Sequence, residues 1–379
     1  MLGKLNDLMW TVTSVILGRL IPKKRGHWVF GGRQYGGNTA PVFEAAASKG
    51  LKATWVTTRS TILESGRPAV VSARSWAGLW AVVRAEGVVL THSLGDFSPL
   101  KFSSPKTRII NLWHGMPIKR ISTADPDFHT RSYAKSNLKE MARFECMVAT
   151  SDAMAALFSK TFGLPDERVH RTGQPRTDIL MSPPAQALES RYSPPLPEHS
   201  FKILYCPTWR DGNPVKLFPF SDRNWARLDE TLEALGAILF VRTHPNDPGK
   251  LKTRHSRIVP MQGDIAPEVT NELGHFHCLI TDYSSVYYDF LMLDRPTIFL
   301  PYDLDEYAQR PGFYIPFEEI APGPYPASQD EFIEQLERAC RTPEVLMQKQ
   351  RLVRDLIYDY VDDGATQRVL SLLAGSSGE

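Results

Sequence analysis

With 379 residues, the chain is long enough to form two domains of ordinary size. Its hydrophobic content of 42% is typical of a globular protein and excludes a disordered chain. The net charge is +2, and basic residues are interleaved with acidic ones, so nothing in the composition supports binding to nucleic acid.

The first predicted element is an amphipathic helix within residues 1–26. Apolar residues recur at helical spacing from Leu2 to Leu20, with basic residues around them, and Pro22 ends the helix. The longest uncharged run, Leu8–Gly18, is too short to span a bilayer, which needs about 20 apolar residues, and no signal-peptide cleavage site follows it. Two interpretations stay open: a helix lying on an anionic membrane surface, or a helix packed on its own domain.

Residues 27–185 alternate between strand-like and helix-like segments, which predicts a Rossmann-like domain with a parallel sheet. The predicted strands are His27–Phe30, Ala53–Thr57, Gly87–Thr91, Thr107–Leu112 and Cys146–Ala149. Helical segments such as Ala40–Lys49 and Trp76–Ala85 lie between them.

A proline-rich linker is predicted at residues 186–200, and a second alternating unit follows at 201–345. Its predicted strands are Lys202–Cys206, Ile238–Arg242, Arg257–Val259, Cys278–Thr281 and Thr297–Leu300. Its predicted helices are Trp225–Leu235, Ser284–Leu293 and Gln329–Arg341. Residues 346–379 are expected to form a closing helix, about Val345–Tyr360, and a polar tail from Ser371 that frays. We expect the two units to face each other with a ligand site between them.

The cysteine and histidine spacing gives no support for a structural metal site. The four cysteines are far apart and form no CxxC pair, which indicates a reducing compartment. The HxH motif of His275 and His277 has too few partners at ligand spacing. The sequence also contains no P-loop motif, no serine-hydrolase motif and no dinucleotide-binding glycine pattern.

Four polar segments follow predicted strands, which is where open α/β folds bind ligands. In the first, His114 lies beside Gly115, which lets a ligand approach the backbone. An imidazole with a reference pKa of about 6.5 suits proton removal near neutral pH, although a histidine that only hydrogen-bonds the turn is the alternative. Lys119 and Arg120 nearby favour a site for anions.

The other three segments contain groups suited to phosphate. Arg242 and His244 would share one face of an extended segment and could clamp a phosphate. Residues 281–285 lead into a helix, whose start can bind phosphate or merely carry a cap. Trp209 and Arg210 could stack a base or bind a diphosphate, or could simply be packed.

Taken in order, these segments resemble the CDP-glycerol glycerophosphotransferase family, whose members make teichoic acids and related capsule polymers. The resemblance extends from about Lys24 to Tyr360 and rests on WHGMPIK, TSDAMAALFSKTFGLPDERVHRTGQPRTDIL, YCPTWRD, RTHP, TDYSSVYYDFLMLDRPTIF and YDLDEY followed by GFY. It implies an α/β fold of the GT-B type, with two facing Rossmann-like domains and a cleft between them. The chain is most similar to the short, primase-like members.

The resemblance implies transfer of glycerol phosphate from CDP-glycerol to an acceptor hydroxyl, with release of CMP. His114 is the implied base, and His244 is the second candidate catalytic residue. The residues expected to bind the donor are Thr208, Trp209, Arg210, Arg242, Asp282, Ser284 and Ser285. The residues expected on the acceptor side are Asn38, Gly115 and Lys119. No role follows for the GxPRxD residues Gly173, Pro175, Arg176 and Asp178.

One position departs from the family pattern, because Met116 follows the WHG motif where a hydroxyl residue is usual. Acceptor choice or phosphate contacts are therefore expected to differ. CDP-ribitol or another CDP-polyol could replace CDP-glycerol, because the motifs contact the diphosphate. A nucleotide-sugar glycosyltransferase of the same fold and a non-catalytic nucleotide-binding scaffold are the alternatives.

The expected partners are CDP-glycerol, a lipid-linked acceptor and an anionic membrane surface, with no nucleic acid. We expect a cytoplasmic enzyme, peripheral on the inner face of the plasma membrane. No cofactor is expected, and the need for a divalent metal stays open.

Overall fold

The computed structural model describes residues 2–210, 214–244, 247, 251, 255–263 and 265–375. The chain divides into two compact units. Unit 1 comprises Met1–Met116, Asp127–Asp178 and Asp359–Glu379. Unit 2 comprises Pro117–Pro126 and Ile179–Tyr358.

Within the described residues, unit 1 is built on a seven-stranded parallel sheet. Its strands are β1 (Lys24–Phe30), β2 (Lys52–Thr57), β3 (Val70–Ser72), β4 (Ala85–Leu90), β5 (Arg108–Asn111), β6 (Cys146–Ala149) and β7 (Val169–Arg171). The helices are α1 (Leu2–Leu20), α2 (Thr39–Ala45), α3 (Ser60–Leu63), α4 (Trp76–Arg84), α5 (Ala134–Met141) and α6 (Asp152–Phe162). The strand order β3-β2-β1-β4-β5-β6-β7 reverses between β1 and β4, which is the point where such sheets bind ligands.

Unit 2, as far as the structure describes it, contains a five-stranded parallel sheet. Its strands are β8 (Phe201–Tyr205), β9 (Ala237–Val241), β10 (Ile258–Pro260), β11 (Cys278–Thr281) and β12 (Thr297–Phe299). The helices are α7 (Trp225–Ala234), α8 (Val269–Glu272), α9 (Val286–Leu291), α10 (Leu304–Gln309), α11 (Phe317–Ile320), α12 (Gln329–Arg341) and α13 (Glu344–Ile357). The order β10-β9-β8-β11-β12 reverses between β8 and β11.

Each unit has its own hydrophobic core around its sheet. Strand β9, with the sequence AILFV, is buried at every position, as expected for a parallel strand covered on both faces. The core of unit 1 includes Trp28, Trp55 and Ile110, whereas that of unit 2 includes Ile203 and Phe332. The predicted helices and strands all overlap observed ones, and β6, β11 and α12 have the predicted bounds. Strands β3 and β7 are not among the predicted strands.

The division into units differs from the one expected at a linker of residues 186–200. Residues Pro117–Pro126 belong to unit 2 because Lys119 forms an antiparallel bridge with Phe313 and the Arg120 amide donates to the Gly312 carbonyl at 2.9 Å. The chain enters unit 2 a second time after Asp178 and returns to unit 1 after Tyr358.

The C-terminal segment returns to unit 1 as α14 (Ala365–Gly375), which packs on α2. Its residues Val369, Leu370 and Leu373 are almost fully buried in the core of unit 1. The expectation that the chain frays from Ser371 is therefore wrong up to Gly375. The remaining tail, 376–379, lies outside the described residues.

Candidate active site

A first candidate site lies in unit 1, where β4 and β5 end and His92 and His114 follow them. His114 is exposed, and its Nδ1 lies 3.2 Å from the Thr91 carbonyl oxygen. A carbonyl oxygen can only accept a hydrogen bond, so Nδ1 carries the proton and Nε2 holds the lone pair. This tautomer is the one that a general base acting through Nε2 requires.

Two rings lie against the imidazole of His114. The His92 ring is parallel to it, with an angle of 1° and centroids 4.3 Å apart. The Trp113 ring lies 4.4 Å away at 32° and packs in turn on Phe162. Trp113 has a φ of 51°, in the left-handed region, and its amide donates to Asn111 Oδ1 at 2.8 Å. This bond offsets a backbone strain on the order of 1–3 kcal/mol.

Asn38 is fully buried and supports the backbone around His114. Its Nδ2 donates to the carbonyl oxygens of Leu112 and Trp113, both at 3.0 Å. Its Oδ1 accepts from the Arg176 amide at 3.1 Å. A buried side chain bonded in this way joins three segments and shapes the loop from within.

Arg176 lies against Gly115 and so belongs to the candidate site of unit 1, although its motif predicted no role. Its Nη1 donates to the His114 carbonyl oxygen at 2.6 Å. Gly115 has a φ of 140°, and a Cβ built there would lie only 2.6 Å from Arg176 Nη2. The positive φ therefore favours glycine, and a Cβ at this position would displace the end of the Arg176 side chain. In the same motif, Asp178 accepts from the Ala365 and Thr366 amides and caps α14.

Met116 and Lys119, which follow the WHG motif, differ in their exposure to solvent. Met116 is fully buried, so its side chain packs in the interior. Lys119 is exposed and lies in unit 2, and its acceptor-side role stays a prediction.

A second candidate site lies in unit 2, at the carboxyl ends of β8, β9 and β11. The Trp209 ring stacks on the His244 ring, with centroids 5.1 Å apart at 24°. Arg242 is only 9% exposed, and its Nη2 donates to the Pro267 carbonyl oxygen at 3.3 Å. The Arg242 Nη1 and Trp209 Nε1 atoms are buried without a hydrogen-bond partner in the described part of the chain. Leaving such a donor unpaired costs about 1–3 kcal/mol, so an acceptor group from a ligand would be stabilised here.

His244 is exposed and lies at the edge of the candidate site of unit 2. Partial burial and the charge of Arg242 lower its pKa below the usual value, while Asp247 opposes them. The imidazole is therefore neutral near pH 7 until an anion arrives.

Arg210 is bound mainly by carboxylates from two neighbouring loops. Its Nε and Nη2 donate to the two Asp303 oxygens at 2.8 and 2.9 Å, and Nη2 also donates to Asp282 Oδ2 at 2.9 Å. Its Nη1 donates to the Thr208 carbonyl at 2.8 Å. Although burial opposes the charge, these carboxylates hold the pKa of Arg210 above its usual range.

Asp282 is 2% exposed and joins two loops from inside. Its Oδ1 accepts from the amides of Thr208 and Tyr283, both at 2.7 Å. Ser284 and Ser285 are partly exposed and precede α9, which has six residues. The Ser284 hydroxyl accepts from the Val286 amide at 3.4 Å, and Ser285 makes no side-chain cap bond.

Two further features concern metals and membranes. Among the described residues, no group of three or more His, Cys, Asp or Glu side chains is arranged to hold a metal ion. None of the described helices combines the length and the hydrophobicity that crossing a bilayer would require.

Two α/β units, each built on a parallel sheet, have the architecture of the GT-B fold. The structure of the wall teichoic acid polymerase TagF has this fold: it matches 99% of the chain and 98% of its own length with a TM-score of 0.78, at 22% identity.

The amino-acid sequence of the chain is similar to those of transferases that act in teichoic acid synthesis. The family described as CDP-glycerol:poly(glycerophosphate) glycerophosphotransferase matches residues 19–375. The Staphylococcus aureus teichoic acid glycerol-phosphate transferase is 26% identical over 71% of the chain and 71% of that protein. The Bacillus subtilis teichoic acid glycerol-phosphate primase is 28% identical over 76% of the chain and 73% of that protein. The chain spans only 43% of the B. subtilis poly(glycerol phosphate) polymerase. The chain thus belongs to the CDP-glycerol glycerophosphotransferase family and is a transferase.

Proposed function

We propose that the chain transfers glycerol phosphate from CDP-glycerol to a hydroxyl group of a lipid-linked glycan or polyol-phosphate acceptor and releases CMP. Membership of the family supports the donor and the reaction class. The observation that carries the mechanism is the hydrogen bond from His114 Nδ1 to the Thr91 carbonyl, which leaves the basic lone pair on Nε2.

In the proposed reaction, His114 Nε2 takes the proton of the acceptor hydroxyl. The hydroxyl oxygen forms a bond to the phosphorus that carries glycerol, the bond from that phosphorus to the CMP oxygen breaks, and CMP leaves with the electron pair. Phosphoryl transfer has a loose transition state, so positioning and charge stabilisation supply most of the acceleration. Proton removal by a histidine contributes about 10²- to 10⁴-fold.

The donor diphosphate is proposed to bind at the carboxyl ends of β8, β9 and β11. The buried Nη1 of Arg242 and the Nε1 of Trp209 are donors that a phosphate oxygen would satisfy. The negative charge of the diphosphate favours the protonated form of His244, whose positive charge then lies against the stacked Trp209 ring. The partly exposed Ser284 and Ser285 add hydroxyl groups.

Thr208, Arg210 and Asp282 are proposed to act mainly by shaping the donor site of unit 2, because they bond chiefly to one another and to Asp303. On the acceptor side, the Gly115 backbone and the Lys119 ammonium group are proposed to meet the acceptor, with Asn38 supporting the loop from inside.

The His114→Ala variant tests the base. We expect kcat to fall about 10²- to 10⁴-fold, while the Kd for CDP-glycerol stays unchanged. The exposed His129 provides a matched control, since His129→Ala should leave both constants unchanged. A His114→Ala enzyme that turns over at the wild-type rate would refute the assignment.

The identity of the nucleotide product separates this function from glycosyl transfer. We expect CMP to appear when the enzyme is incubated with CDP-glycerol and acceptor lipid. Release of a nucleoside diphosphate from a sugar nucleotide would instead indicate a glycosyltransferase. A panel of CDP-polyols in the same assay tests ribitol against glycerol.

We further propose that α1 attaches the enzyme to an anionic membrane surface. One face of α1 packs on unit 1: Trp10 is buried against Trp76, and the Ser103 hydroxyl donates to the Val15 carbonyl. The opposite face presents the exposed apolar residues Leu5, Leu8, Met9, Val12, Ile16 and Leu20. On the neighbouring α4, Trp76 and Trp80 are also more than half exposed.

This surface has the composition that supports binding at an interface. Exposed aliphatic and tryptophan side chains insert at the level of lipid headgroups, and the exposed basic residues Lys4, Arg19, Lys24 and Arg25 flank them. Basic residues near a bilayer gain about 1 kcal/mol each from anionic lipid.

Vesicle flotation tests the membrane proposal without disturbing the packed face of α1. We expect the double variant Val12→Gln, Ile16→Gln to lose binding to phosphatidylglycerol vesicles while it keeps its Kd for CDP-glycerol. Leu352→Gln, at an exposed apolar position on α13, is the matched control and should bind like wild type. Equal flotation of all three proteins would exclude the α1 surface.

A further inference from the structure

We infer that His92 is a positioning residue for this reaction, because its ring forms the flat surface against which the imidazole of His114 is held. The inference rests on the proposed role of His114 as the base, and it extends the site to a residue that lies outside the family motifs quoted above.

The position of His92 in the fold favours this role. It follows β4, beside the point where the strand order of unit 1 reverses, and His114 follows the adjacent strand β5. The Leu112 amide donates to the Leu90 carbonyl at 2.8 Å, so the two strand ends are held in register up to the histidines. Thr91 then contacts both rings: its hydroxyl lies 2.9 Å from His92 Nδ1 and its carbonyl 3.2 Å from His114 Nδ1.

The geometry of the two rings restricts His114. Their planes differ by only 1° at a centroid distance of 4.3 Å, so rotation of the His114 ring out of this plane would separate the rings. The Thr91 carbonyl limits rotation within the plane. Together these contacts hold Nε2 in one direction, and an error of about 1 Å in such an arrangement can cost about 10²-fold in rate.

The charge state of His92 is compatible with the same role. Burial, followed by the positive charges of His114 and Arg33, lowers the pKa of His92 to about 3. The ring is therefore neutral across the pH range in which a catalytic histidine works. The neutral His92 ring presents a π-face to the imidazolium that forms when His114 accepts the proton of the acceptor hydroxyl.

Two carboxyl groups, those of Asp96 and Glu140, also lie near the turn that follows His92. Asp96 lies in the turn after His92, where burial raises the pKa of its carboxyl group. From α5, Glu140 Oε1 accepts from the Leu94 amide at 2.7 Å and so holds the same turn. Burial also raises the pKa of Glu140.

Two substitutions of His92 test the inference, with CMP release as the readout. We expect His92→Ala to lower kcat about tenfold or more without changing the KM for CDP-glycerol. His92→Phe keeps a flat ring of similar size and should restore kcat to within about threefold of wild type. His170, a partly exposed histidine on β7, is the matched control, and His170→Ala should be silent.

A double variant distinguishes an effect through His114 from a separate one. If His92 acts through His114, then His92→Ala combined with His114→Ala should be no slower than His114→Ala alone. Additive losses would overturn the inference, and so would a His92→Phe enzyme as slow as His92→Ala. A silent His92→Ala beside an inactive His114→Ala refutes the inference alone. Full activity of His114→Ala refutes the base and the inference together.

Discussion

Replacing Arg210 with alanine is expected to destabilise unit 2 strongly, in contrast to replacing Arg242. The Arg210 side chain is 12% exposed, and it donates three hydrogen bonds to the carboxylates of Asp282 and Asp303. Its removal would leave Asp282, which is 2% exposed, without the cation that compensates its charge.

The structure sets the size of the effect. Removing one partner of a buried ion pair costs about 3–5 kcal/mol. We expect the lower end, about 3 kcal/mol, because Asp282 keeps two amide donors and Asp303 is 20% exposed to water. For a domain of about 150–250 residues, a loss of 1 kcal/mol of unfolding free energy lowers Tm by about 2–4 °C. The Tm of the Arg210→Ala variant should therefore fall by about 6–12 °C.

Urea unfolding and calorimetric titration with CDP-glycerol distinguish the two arginines. Within the described residues, Arg242 Nη2 donates one hydrogen bond, to the Pro267 carbonyl at 3.3 Å, and Nη1 has no partner. Arg242→Ala should therefore lose about 1 kcal/mol or less of unfolding free energy, while its donor Kd rises about tenfold or more. If Arg210→Ala were as stable as wild type and lost donor affinity like Arg242→Ala, the structural role of Arg210 would be refuted.

Three further predictions concern other contacts. Gly115→Ala should lower kcat by at least about tenfold, since its Cβ would displace the Arg176 guanidinium and the backbone would be strained; a rate equal to wild type would contradict the close contact. Donor affinity should rise as pH falls from about 8 to 6, because the lowered pKa of His244 leaves its imidazole neutral in the free protein and the diphosphate favours the charged form. His244→Asn should remove this pH dependence of the donor Kd in calorimetric titrations. An unchanged dependence of Kd on pH in that variant would exclude His244. Asp178→Ala removes two bonds to the first amides of α14 and should lower the unfolding free energy by about 0.5–2 kcal/mol in urea; no change would mean that the cap is dispensable.

Most of the secondary structure is predictable from the sequence because short runs of residues contain the signals that define each helix or strand. Strand β9 reads as one apolar run, and α12 carries both a serine cap and a strong apolar stripe, so their positions follow from short windows. The return of α14 to unit 1 is different. Its packing on α2 depends on residues more than 300 positions apart, and no local pattern encodes which unit receives it.

The residues of the two candidate sites divide in the same way. His114, Arg242 and His244 could be predicted because each follows a strand in a specific motif. Arg176 could not, since it lies 62 positions from His114 and meets it only through the fold. His92 is a single histidine after a strand, and only the register of β4 and β5 brings its ring against His114.

The path of the chain limits how the protein can be divided. The polypeptide passes between the units after Met116, Pro126, Asp178 and Tyr358, so neither unit is one uninterrupted stretch. A fragment that stops at Asp178 would lack α14 and would expose to water the apolar surface that Val369, Leu370 and Leu373 cover. Cloning one half alone would therefore yield an aggregation-prone fragment, whereas co-expression with a peptide of α14 or a permuted gene would restore the missing layer.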